Sequence, residues 1–171
     1  MNGNPLRMFV ENRAEELMAN GIFADHVRDG RLVVRMCWTS SSAISFAELI
    51  LLREAATPTS VILNCTSDPE ELRTPIERIL SRAGSKERWH VALAIPDMTT
   101  WLLAEPKFAE SETEARAKGS PATKADVAVR FKEWAQQPGN HFNRDEVSRK
   151  NEEFEALNRF VEQHLSAPAS A

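Results

Sequence analysis

Cysteine is scarce in this chain of 171 residues: Cys37 and Cys65 are the only two. Both fall in strand-like segments, and Met1 to Pro5 do not read as a targeting segment. That pattern excludes a disulfide framework and fits buried free thiols in a cytoplasmic protein. The four histidines, His26, His90, His141 and His164, are scattered without zinc spacing. No apolar run approaches the roughly 20 residues needed to span a membrane, so no membrane association is expected. Positive charge is not in excess either. The net charge is −4, and the segments before and after Ala104 are each slightly acidic. The bulk electrostatic case for nucleic-acid binding is therefore missing, although a local basic face remains open. Glycine-rich phosphate and dinucleotide fingerprints are absent, as are internal repeats.

What the chain does have is ordinary globular content, 42% hydrophobic and 27% charged, enough for one domain with a substantial core. Four apolar runs read as strands, near residues 7–11, 31–38, 60–65 and 89–95. Asn12 to Glu15 forms a capping-box pattern opening a helix that stops near Asn20-Gly21. A second helix follows Thr39 to Ser42 and ends at Thr57-Pro58. A third runs from Pro69 to about Arg82, and a short one starts near Thr99 with Trp101-Leu102-Leu103 as core packing. Alternating strands and helices predict a three-layer α/β fold. Its four-stranded sheet is mainly parallel, with helices on both faces.

Beyond Ala104 the composition shifts. Residues 109–123 read as a loop, and Lys124 to Trp134 as a modest helix. Asn143 to Glu146 is a second capping-box pattern. It opens one long helix to Leu165, with Val147, Phe154, Leu157, Val161 and Leu165 as a single apolar stripe. The division expected is an α/β domain over 1–105 and a helical extension over 106–171 packed on it.

In a parallel sheet the strands' carboxyl ends share one edge, where polar residues gather over a crevice. Val61-Ile62-Leu63-Asn64-Cys65-Thr66-Ser67-Asp68 ends an apolar run abruptly in polar residues. Glu11, Asn64, Thr66, Asp68 and Asp97 are expected at that edge. A two-metal phosphoryl-transfer site needs several carboxylates there, and magnesium takes oxygen ligands. Glu11 suits this role, while Asn64 and Thr66 offer only neutral oxygens. Asp68, before Pro69, reads first as a helix N-cap and second as a ligand. Asp97 has the same two readings before the Trp101 helix. Ser40, Ser41 and Ser42 could hold an anion at a helix start, but helix capping suffices for them.

These segments resemble a Toprim domain, the fold shared by topoisomerases, primases and OLD-type nucleases. The resemblance covers about residues 7 to 105. The family's first strand ends in Glu, matched here by Met8-Phe9-Val10-Glu11-Asn12. Its third ends in Asp-x-Asp, and those positions fall on Asn64 and Thr66, while Asn12 replaces the Gly that commonly follows the Glu. Val91 to Leu103, with Pro96 and Trp101-Leu102-Leu103, is similar to a stretch of Toprim-like proteins in bacterial phage-defence systems.

The resemblance implies a degenerate site that acts by binding a protein partner or nucleic acid in a defence or genome-maintenance system, with little or no catalysis and no cofactor. A metal-dependent nuclease using Glu11, Asp68 and Asp97 with Mg2+ is the enzymatic alternative, Glu11 being its metal ligand. A nucleotide- or small-anion-binding domain is the third. A homo-oligomer is compatible with each.

Overall fold

The computed structural model describes residues 4–36, 57–82 and 84–165. Cys37, the Thr39 to Ser42 segment and the helix expected after it lie outside the described residues. Among the described residues, four strands form one parallel sheet in the order β2-β1-β3-β4: β1 (Leu6–Val10), β2 (Leu32–Met36), β3 (Thr59–Asn64) and β4 (Trp89–Ala94). The registers pair Leu6 with Leu32, Arg7 with Thr59 and Thr59 with Trp89. All carboxyl ends therefore share one edge.

Alternation along the strands sorts two apolar faces. Met8, Val10, Leu32, Val34, Ile62, Ala92 and Ala94 face one way, and Phe9, Val61, Leu63, Val91 and Leu93 the other. The second face packs against Leu72, Ile76 and Leu80 of α3 (Pro69–Ser81). Against the first lie α1 (Arg13–Ile22), with Met18, Ala19 and Ile22 buried, and the C-terminal helices. This is a three-layer α/β fold with added C-terminal helices.

Between α1 and β2 runs a short helix, α2 (Ala24–Arg28), that the sequence pattern does not announce. Beyond β4 come α4 (Thr99–Leu103), α5 (Pro106–Ala117), α6 (Lys124–Gln136), α7 (Arg144–Lys150) and α8 (Glu152–Leu165).

Three expectations need correction. The loop expected over 109–123 is largely helix α5. Glu105 is buried and caps it by accepting from the Lys107 and Phe108 amides, and Pro106 follows the cap. Of the Glu, Ala, Ser, Lys and Thr that suggested a loop, Ala, Glu and Lys are good helix formers. Inside this helix, buried Glu112 is held by Arg130 and Arg116.

The single final helix is two. Asn151 adopts an extended conformation, and its side chain caps α8 by accepting the Phe154 amide at 3.0 Å. Val147, Phe154, Leu157 and Val161 remain one buried stripe across the break.

The third correction concerns the Asn12 capping box. Asn12 accepts the Ala14 amide at 3.1 Å, but Glu15 does not turn back to the cap. It points into the protein, where it joins the site described below.

One aromatic cluster joins the C-terminal helices to the sheet. Phe131 packs on Phe108, Trp134 and Phe142, and Phe142 on Phe154, which meets Trp101 and Phe23. Gly21 lets α6 approach α1 closely. A Cβ there would lie 2.4 Å from Phe131 Cε1.

Candidate functional site

Glu11 follows the last residue of β1, and Asn64 is the last residue of β3. Because β1 and β3 are neighbours and parallel, the two side chains meet. Asn64 donates its backbone N–H to Glu11 Oε1 and its Nδ2 to Glu11 Oε2, each at 3.2 Å. The same Nδ2 donates to Glu15 Oε1 at 2.7 Å. Lys124 Nζ lies 2.6 Å from that oxygen. The centre is therefore two carboxylates bridged by one amide, with an ammonium on the inner one.

Burial is uneven across the group. Glu15 is only 1% exposed, whereas Glu11 is half-buried and the Lys124 side chain is 34% exposed. A buried carboxylate needs a partner, and Lys124 supplies it. Lys124 is the first residue of α6, where the helix dipole disfavours a cation. Its side chain contributes through the carboxylate it reaches. Burial pushes the Glu11 carboxyl above its ordinary range, with a further push from the Glu15 charge. The two Asn64 hydrogen bonds and Lys124 act in the opposite direction.

Two atoms in this centre are buried without a hydrogen-bond partner: Glu15 Oε2 and Asn64 Oδ1. Asn64 turns its N–H groups to the carboxylates and leaves its oxygen over. A metal would need the reverse, with an oxygen presented. Among the described residues, no group of three or more His, Cys, Asp or Glu is arranged to hold a metal ion.

The other expected residues sit differently. Asp68 is exposed and accepts the Glu70 amide at 2.9 Å, capping α3. Asp97 accepts the Thr99 amide at 2.8 Å, along with the Thr99 hydroxyl. Thr66 is exposed. Ser40, Ser41 and Ser42 lie outside the described residues. The Cys65 amide donates to Ala94 and Pro96 carbonyls, tying the end of β3 to the exit of β4. Its thiol is buried and donates to Ser67 O.

Sequence reasoning missed Glu15 and Lys124. Glu15 carried a signal. It shares the 3, 4, 7 spacing of Met18, Ala19 and Ile22, so it is an acid on the buried face of α1. Lys124 carried none, because nothing local links it to residues more than a hundred positions earlier.

Comparison with family models and with curated proteins finds no match. Among solved structures, the chain is similar to the C-terminal region of the OLD protein of Xanthomonas campestris pv. campestris. The two are 14% identical with a TM-score of 0.40, over 96% of this chain and 86% of that one. Among the described residues, no helix is long and apolar enough to cross a membrane.

Proposed function

We propose that this chain acts by binding, as a degenerate Toprim-like protein whose carboxylate centre is closed by its own cation. Lys124 carries the reading. Its ammonium lies against Glu15, where a divalent ion would otherwise offset the carboxylates. Asn64 stands where a third carboxylate would be needed and presents hydrogen-bond donors to both acids. In the setting the Toprim resemblance implies, the partner is a protein of a bacterial defence or genome-maintenance system.

Supercoiled plasmid nicking with Mg2+ or Mn2+, run beside divalent-ion calorimetry, tests this. Weak ion binding and no nicking above an Asn64→Leu control support it. Robust nicking abolished by Glu11→Gln overturns it.

A second reading has its own support. Glu15 Oε2, buried without a partner, suits a cation that displaces Lys124. On this reading the chain is a divergent metal-dependent nuclease in which Glu15 replaces Asp68 and Asp97 as the second acid beside Glu11. Lys124→Met would then raise divalent-ion affinity and nicking together.

A further inference from the structure

Three of the chain's four histidines meet at the end of α8. His26, buried on α2, has its Nε2 at 2.9 Å from Glu162 Oε1. His90, on β4, stacks on Phe160 with ring centroids 5.6 Å apart. His164 packs on the same ring at 4.5 Å, and its Nε2 lies 2.8 Å from the Glu87 carbonyl oxygen. Arg144 and Arg31 add hydrogen bonds to Glu162 and to the Leu165 carbonyl. Beyond Phe160, Val161 alone is fully buried among the described residues of the helix.

The first half of α8 is fastened by other means. Phe154 and Leu157 are wholly buried. Glu153 accepts the Leu93 amide at 2.9 Å and is held by Arg73 Nη2. One helix thus has an apolar, anchored half and an end fastened through imidazoles. Local opening follows such differences in buried apolar contact.

The three imidazoles differ in what a second proton does to them. His26 bonds Glu162 through a protonated Nε2, and His164 bonds the Glu87 carbonyl in the same way, so each keeps that bond in either charge state. His90 has no such bond. Its Nε2 is buried without a hydrogen-bond partner, and a charged ring carries an N–H there with no acceptor to receive it. Glu153, the acid that most favours the charged ring, is already committed to Arg73 and the Leu93 amide. The other charges around the groove beside His90 are Arg159 on α8, Arg73 and Glu77 on α3, and Lys86 and Glu87 before β4, and with Glu153 they balance in sign. On β3, Ser60 pairs with His90 in register and brings no charge. Burial holds the His90 ring below its ordinary value of 6.5; the Glu153 charge opposes this and the Arg73 charge adds to it.

We propose that the end of α8, from Phe160 to Leu165, is an acid-released latch. Protonation of His90 opens it from β4, while Glu153, Phe154 and Leu157 keep the rest of the helix docked. The opened ring meets water and takes its proton at the ordinary value, whereas the closed ring resists it. The closed state therefore has its full advantage above 6.5 and loses it as pH falls below that value. Release uncovers Phe160 and the face of β4 beneath it. The device is independent of the Glu11 centre.

Hydrogen exchange of the full chain, read segment by segment in mass spectra, tests this at about pH 7.5 and about pH 5.5, either side of the ordinary imidazole value. Each rate is divided by that of an unstructured chain at the same pH. In wild type, protection of residues 160–165 should fall severalfold at the lower pH, with a ceiling of about tenfold one unit below the ordinary value. Protection of β1 and α1 should hold. His90→Phe keeps a ring against Phe160 but cannot titrate, so its protection should be equal at the two pH values. His26→Gln and His164→Gln should retain the wild-type fall. If His90→Phe fails to fold, the His90 imidazole signal in NMR spectra of wild type decides. Its titration midpoint should lie below the ordinary value, and the fall in protection should level off beneath that midpoint.

Unchanged wild-type protection overturns the proposal, as does a fall that His90→Phe shares or that His26→Gln or His164→Gln abolishes. A His90 midpoint at or above the ordinary value overturns it too. So does a fall spread evenly over β1 and α1, since the whole domain is then opening.

Discussion

Lys124 Nζ and Glu15 Oε1 lie 2.6 Å apart across 109 positions of sequence, joining the start of α6 to the first turn of α1. Removing one partner of a buried pair leaves the other charge uncompensated. Lys124 is partly exposed, so the loss on Lys124→Met should be about 1–3 kcal/mol rather than the larger figure for a fully buried pair. Adding Glu15→Gln should recover part of it. Denaturant melts of the two single variants and the double variant measure the coupling, and additive losses would mean the pair is not a functional unit of the fold.

Replacing Asn64 by Asp exchanges the bridging amide for a third carboxylate beside Glu11 and Glu15. Asn64→Asp should lower the melting temperature in chelator, because like charges then face one another. Magnesium should restore stability in this variant and do little for wild type. Thermal melts with and without the ion check this, and equal responses in the two proteins would show that position 64 does not converge with the acids as a ligand.

Glu11 gives a pH signature. Its carboxyl is raised by burial, so the folded protein holds that proton more tightly than the unfolded chain. Its contribution favours folding at low pH and is lost as pH rises from the ordinary value of 4.5 through the raised folded value. Comparing wild type with Glu11→Gln over that range isolates the effect. The difference in stability between the two should change across this window and be flat above it.

Asp25 behaves in the opposite sense. The Arg144 guanidinium, hydrogen-bonded to both its oxygens, holds its carboxyl far below the ordinary value of 3.8. That stabilisation is full above 3.8 and is lost as pH falls below it. Arg144→Leu should therefore lower stability at neutral pH and flatten the acid limb of the stability curve. An unchanged acid limb by urea titration would rule out the pair as its source.

At Gly21 two effects oppose one another. Alanine gains up to about 1 kcal/mol of helix propensity, but its Cβ would sit 2.4 Å from the Phe131 ring. Overpacking of that kind costs about 1–3 kcal/mol, so Gly21→Ala should destabilise on balance. Phe131→Leu in the same chain should relieve part of the loss, as read by melting temperature.

The parallel sheet was legible because β1, β3 and β4 carry apolar runs buried on both faces, and because Asn12 and Asp68 cap helices just after two of those strands. Glu11 and Asn64 were legible as neighbours for the same reason, since both stand at strand ends. Asp68 and Asp97 could be read as caps or ligands; Asp68 caps α3, and Asp97 accepts the Thr99 amide just before α4. The fourth member of the centre could not be read. Lys124 reaches it only through the packing of α6 on α1, and Gly21 permits that approach. Helix α5 was hidden because its buried contacts are few, mainly Phe108 and the paired Glu112.

The bond between Glu153 and the Leu93 amide spans 60 positions, and this has a consequence in time. During synthesis β4 leaves the ribosome well before α8, so the last strand is formed while its cover is still untranslated. A nascent chain halted between these points would carry an open strand edge, the kind that templates pairing with other chains. Prompt completion of α8 therefore protects the protein while it is being made.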